Sequence, residues 1–133
     1  MKFVLHHVAF NVSDLAQSIE FYQKLGFQKT LYFESTTKPT RIQFLEQDGL
    51  RVELTSRDNN AEPWEYDSSK SVMKHFALQS TDIKKDHEEL CRIVGSASEI
   101  KYKGLPNGGY VNFFYIKDPD NLDIEIVQFV PEI

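Results

Sequence analysis

The feature that most constrains this chain is that it repeats itself. His7-Val8-Ala9-Phe10-Asn11 aligns with His75-Phe76-Ala77-Leu78-Gln79 at an offset of 68 residues (75 − 7), and Ser13-Asp14-Leu15 then falls on Thr81-Asp82-Ile83. Further on, Asp48-Gly49-Leu50-Arg51-Val52-Glu53-Leu54 matches Asp120-Asn121-Leu122-Asp123-Ile124-Glu125-Ile126 at an offset of 72 (125 − 53). Two matches in the same order at nearly one offset point to duplication of a single unit. The four-residue difference between offsets (72 − 68) is assigned to the loop at 104–109. The organisation expected is one domain over 1–133, made of a module at 1–60 and a module at 71–133, joined by a polar linker at 57–70.

Each copy reads as strand, helix, then three strands, an α+β pattern. Residues 3–12 carry apolar, β-branched and aromatic side chains suited to a strand. Asp14 with Gln17 three residues later forms a helix N-cap, and Leu15, Ile19, Tyr22 and Leu25 recur at helical spacing. Gly26 supplies the left-handed stop. Strands are expected near 27–33, 40–46 and 50–56, with a tight turn at Asp48-Gly49. The second copy predicts a strand near 73–80, a helix near 82–94, and strands near 97–103, 110–117 and 122–130. Asp118-Pro119-Asp120-Asn121 has the chemistry of a turn.

Alternation along strands decides which side chains share a face. His7 falls with Phe3, Leu5, Ala9 and Asn11, whereas Val4, Val8, Phe10 and Val12 point under the helix. Glu53 falls with Arg51 and Thr55, His75 with Met73, Ala77 and Gln79, and Glu125 with Asp123 and Val127. Each copy thus contributes one His near the start of its first strand and one Glu in its last. Apolar neighbours bracket both glutamates, where an unpaired carboxylate is costly to desolvate. A divalent cation held by His7, Glu53, His75 and Glu125 would relieve that cost, and the mixed nitrogen and oxygen donors suit Zn, Ni, Co, Mn or Fe(II) better than copper(I) or calcium. The bland alternatives are a satisfied core histidine at His7 and buried salt bridges for the glutamates, for example with Arg51.

Composition narrows the partners. A net charge of −5 with no run of Lys or Arg disfavours nucleic acid or an anionic membrane. Cys91 is the only cysteine, so an internal disulfide is excluded; it is read as a small buried hydrophobe. The opening MKFVLHHVAF reads as neither signal peptide nor membrane span, and a cytoplasmic protein is the simplest expectation. His6 is expected to face away from His7, and His87 to pack at the edge of a helical stripe with Ile83, Leu90 and Val94. Arg51, Arg57 and Lys103 are either anion-binding groups or solvated charges, and Trp64 and Tyr66 either cover a cleft or pack beside it. Phosphate-cradling glycine motifs, CxxC pairs and GxSxG are absent from the sequence.

These residues together resemble the vicinal oxygen chelate superfamily. The resemblance is carried by His7-Val8-Ala9-Phe10-Asn11-Val12, Asp14-Leu15, Ser18-Ile19-Glu20-Phe21-Tyr22, Leu25-Gly26-Phe27, Val52-Glu53-Leu54, His75-Phe76-Ala77-Leu78 and Asp118-Pro119-Asp120 through Ile124-Glu125-Ile126. It spans nearly the whole chain, and all four metal positions of the glyoxalase I (lactoylglutathione lyase) branch are filled. It implies two βαβββ modules forming an open barrel-like sheet with a central cleft, often completed across a homodimer. It also implies a divalent metal, with Zn or Ni foremost, and a small-molecule substrate such as a hemithioacetal. The implied reaction is proton transfer through an enediolate, with Glu125 as base by analogy and Glu53 its counterpart. Two departures bear on the thiol: Asn11 stands where glutathione-dependent members commonly carry Arg, and Arg57 where they commonly carry Asn. The alternatives are a thiol transferase of the fosfomycin-resistance type, a metal-free drug-binding protein like the bleomycin-resistance proteins and, ranked lower, an extradiol dioxygenase.

Overall fold

The computed structural model describes residues 1–56, 66–67, 69–71 and 73–133. The chain divides into two compact units, Met1–Trp64 and Glu65–Ile133. Arg57 and Trp64, and most of the linker, lie outside the described residues.

The first unit runs β1 (Val8–Val12), α1 (Leu15–Lys24), β2 (Gln28–Glu34), β3 (Arg41–Gln47) and β4 (Leu50–Ser56). The second runs β5 (Phe76–Gln79), α2 (Ile83–Ile93), β6 (Lys101–Gly104), β7 (Tyr110–Lys117) and β8 (Asp123–Val130). Each forms its own four-stranded mixed sheet, ordered β1-β4-β3-β2 and β5-β8-β7-β6. The first strand of each unit pairs in parallel with the last, which requires the crossover that the helix provides. The remaining pairs are antiparallel.

Local chemistry explains the boundaries. Asp14 accepts from the Gln17 backbone N–H at 3.0 Å and Asp82 from that of Lys85 at 3.2 Å, so both helices start on a carboxylate cap. Gly26 ends α1 with φ +98°, and a β-carbon there would stand 2.6 Å from the Gln47 amide. The duplication extends to backbone conformation: the β3–β4 turn has Gly49 at φ +83°, and its counterpart Asn121 has φ +69°. Before it, the Asp118 carboxylate accepts from the N–H groups of Asp120 and Leu122, each at 2.9 Å.

In each unit the helix side of the sheet holds the core. Val12, Tyr22, Phe27, Leu45, Val52 and Leu54 are fully or almost fully buried in the first, and Ile83, Phe114, Ile116, Ile124 and Ile126 in the second. Phe10 stacks on Tyr22, which meets Phe27 edge-on. On the other face of β4, Arg51, Glu53 and Thr55 are only partly covered, as alternation requires.

Some expectations need correction. Both first strands are shorter than expected, starting at Val8 and Phe76, which leaves His7 and His75 just ahead of them. In register Val8 pairs with Val52, and β4 starts at Leu50, so the partner strand runs out two residues earlier. β8 likewise starts at Asp123, one residue before the partner of Phe76. Residues 3–5 run past the end of β4 and do not alternate: Phe3, Val4 and Leu5 are all exposed, including the Val4 expected under the helix. β6 starts at Lys101, which is equivalent in register to Phe33 near the end of β2, because the residues before it form no strand. The register keeps the extra length at the hairpin, as expected: Glu34 pairs with Arg41 across six residues, and the equivalent pair, Tyr102 with Asn112, spans nine. Cys91 is exposed, not buried. It lies eight residues after Ile83, about 80° around a helix of 3.6 residues per turn, off the buried stripe.

Replacing Leu45 with Ala should lower the unfolding free energy by about 2–5 kcal/mol, through lost burial and a residual cavity. Asp82→Ala should lower it by about 1 kcal/mol, as expected for a lost cap. Equilibrium urea unfolding checks both.

Candidate functional site

Register brings one His and one Glu together in each unit. Ala9 pairs with Glu53 and Ala77 with Glu125, so a histidine two residues before either alanine lies beside that glutamate. In the first unit His7 Nε2 is 3.9 Å from Glu53 Oε2. In the second His75 Nε2 is 2.8 Å from Glu125 Oε2. The glutamate side chains keep 20% and 16% of their exposure, enough to admit a ligand yet too little for full hydration.

An aromatic ring backs each pair. Across the antiparallel hairpins Glu53 registers with Phe44 and Glu125 with Tyr115. His7 meets Phe44 edge-on with ring centres 5.2 Å apart, and His75 meets Tyr115 edge-on at 5.6 Å. The Tyr115 hydroxyl also donates to Glu125 Oε2 at 3.0 Å. Burial, then that hydrogen bond and the carboxylate charge, pushes the Tyr115 phenol up to about 12.

His6 does not face away from His7. Their Nδ1 atoms are 2.9 Å apart and their rings meet edge-on, because strand alternation has not begun at these positions. With His6 Nδ1 donating to His7 Nδ1, the proton of a neutral His7 sits on Nε2, on the Glu53 side. Arg51, a possible partner for the glutamates, instead lies 3.5 Å from Glu46. Lys103 is exposed on β6. His87 packs edge-on against Phe114 and its Nε2 contacts the Ser98 carbonyl at 2.8 Å, an edge-of-stripe packing role. Tyr66 donates its backbone N–H to the Asp120 carbonyl at 2.7 Å, and its hydroxyl is buried.

The donors fit a divalent ion. Two donors about 2.1 Å from one tetrahedral ion stand roughly 3.4 Å apart, and the two His–Glu separations fall on either side of that value. Each unit taken by itself offers two such donors. Among the described residues, no three His, Cys, Asp or Glu side chains form a metal-sized group.

The glyoxalase/bleomycin resistance protein/dioxygenase superfamily model matches residues 4–126. The chain belongs to this superfamily. It is 30% identical over 129 residues to a probable lactoylglutathione lyase of Vibrio cholerae, covering 92% of this chain and 88% of that relative. Among solved structures, a glyoxalase family protein of Enterococcus faecalis superposes with TM-score 0.76 at 23% identity, covering 93% of this chain and 96% of that one. The trypanothione-dependent glyoxalase I of Leishmania major superposes with TM-score 0.71 at 21% identity, covering 96% of this chain and 87% of that one. At those identities the structural likeness establishes fold, and this chain shares the superfamily's two mixed sheets with helices. Among the described residues no helix is long and apolar enough to cross a membrane.

Sequence reasoning did not single out Phe44, Tyr115 or Ser98. Phe44 and Tyr115 were within reach of it: counting back from each glutamate through the hairpin turn lands on them. Tyr115 should ionise well above the ordinary tyrosine range. In chelator-treated protein its ionisation is expected to follow the higher pKa of the folded state, while the unfolded chain ionises near the ordinary value of about 10. Because the folded pKa is raised, the associated stability is complete below about pH 10 and is lost as pH rises through the folded value. Alkaline titration by tyrosinate absorbance, compared with Tyr115→Phe, checks this; the variant should lose one high-pH step near 12.

Proposed function

We propose that this chain is a divalent-metal-dependent lyase or isomerase of the glyoxalase type, acting on a small hemithioacetal or related substrate with oxygens on adjacent carbons. The observation that carries this reading is the pair of His–Glu contacts in duplicated frames, each with an imidazole nitrogen and a carboxylate oxygen spaced for a shared ion. Similarity to a probable lactoylglutathione lyase over most of the chain supports it. His7, Glu53, His75 and Glu125 would hold the ion, Zn or Ni foremost, within one chain or across a homodimer.

When bound, the ion would supply a Lewis acid for two neighbouring substrate oxygens. Two neutral imidazoles and two carboxylates balance its charge. The proton work falls to the carboxylates. One of them, Glu125 by resemblance with Glu53 as its counterpart, removes a proton from one substrate carbon and returns it to the next. Asn11, registered with Thr55 on the Glu53 side of the sheet, would by resemblance face the substrate's thiol portion. Its short amide cannot make the charged contact of an arginine, so the thiol need not be glutathione.

The test is methylglyoxal turnover with several thiols after loading Ni or Zn, together with metal analysis of protein purified without chelator. Glu125→Gln and Glu53→Gln should each lower kcat by at least about a hundredfold, the scale of a lost general base. His7→Ala and His75→Ala should release metal. A protein that refuses Ni, Zn and Mn, or that isomerises no thiol adduct, overturns the reading.

A further inference from the structure

The two His–Glu pairs differ by one oxygen. Phe44 and Tyr115 occupy equivalent places, each opposite its glutamate in register and edge-on to its histidine. The Tyr115 hydroxyl donates to the same Glu125 Oε2 that lies 2.8 Å from His75 Nε2. Phe44 has nothing to donate, and the Glu53–His7 separation is wider, at 3.9 Å.

Tyr115 is itself anchored. On one side β7 pairs with β8 along its length, placing Tyr115 against Glu125. On the other, β6 pairs with β7 only as far as Phe113, and beyond that Ser98 takes the place of a strand. The Tyr115 N–H donates to Ser98 Oγ at 2.9 Å, and its carbonyl accepts from the Ser98 N–H at 2.8 Å. The Ser98 carbonyl in turn meets His87 Nε2. Ser98 lies between α2 and β6, where residues 94–100 form no strand, so this irregular segment is the one that fixes the tyrosine.

We propose that Tyr115 is a positioning residue, which presets Glu125 and His75 as a rigid pair and leaves Glu53 as the carboxylate that adjusts when a ligand binds. A glutamate must give up rotamer freedom to hold an ion, and a hydroxyl that already restrains it removes part of that cost in advance. The role in metal binding rests on the function proposed above; the restraint on Glu125 does not.

Three measurements separate the two. In chelator-treated protein, imidazole nitrogen NMR should show the His75 signals shifting and broadening in Tyr115→Phe, with His7 unchanged as a control for folding. Phe44→Tyr should move the His7 signals instead. In Ni titration calorimetry, Tyr115→Phe should weaken binding about ten- to a hundredfold, the range for losing a group that orients a ligand, while Phe44→Tyr should not weaken it. With Co bound, the visible spectrum should change in Tyr115→Phe. If Tyr115→Phe leaves the His75 signals and the Ni affinity unaltered, the proposal is overturned. If the natural chain takes up no metal but the His75 signals respond, the function above fails and the restraint by Tyr115 stands.

Discussion

Parallel pairing of each unit's first strand with its last is the constraint from which both His–Glu contacts follow. A hairpin can join neighbouring strands only when they are antiparallel, so the chain must leave β1, cross by a helix and return through two further strands. The helix then covers one face of the sheet, and that face takes Val12, Val52, Leu54 and their equivalents out of water. The opposite face is left to the polar members of the alternation. Ala9 beside Glu53 and Ala77 beside Glu125 keep that face open, since a larger residue in either place would crowd the carboxylate.

Placing a carboxylate on such a face has a cost. Glu53 and Glu125 sit among apolar strand neighbours and retain little exposure, so each needs a partner to offset lost hydration. Within the described structure the partner is a histidine in both cases, and Glu125 has the Tyr115 hydroxyl as well. A neutral imidazole is a weak partner for an anion compared with arginine, and Arg51 is engaged with Glu46.

Much of this was legible in the residues. The repeat fixed the element order, because a duplicated pattern must fold twice in the same way. Alternation gave one His and one Glu in each copy; the parallel register that sets them side by side came only with the fold. What escaped was set by partners that a one-dimensional pattern does not display. The strandlike composition of Phe3, Val4 and Leu5 promised pairing, but β4 is too short to provide it. Cys91 is small and apolar, yet its angle around α2 carries it off the buried stripe. His6 was assigned by an alternation that starts only at Val8. The aromatic residues behind each pair look like ordinary strand residues until the register sets them against the glutamates.

The connection between α2 and β6 has a further meaning for how the two copies drifted apart. A segment outside regular strand pairing is free to acquire contacts that its twin lacks. Here residues 94–100 supply Ser98, which caps β7 where β6 falls short. After a gene doubles a symmetric unit, a changed backbone path along one short stretch suffices to stiffen one copy and leave its sibling compliant, so inequality between matching side chains can arise far from those side chains themselves.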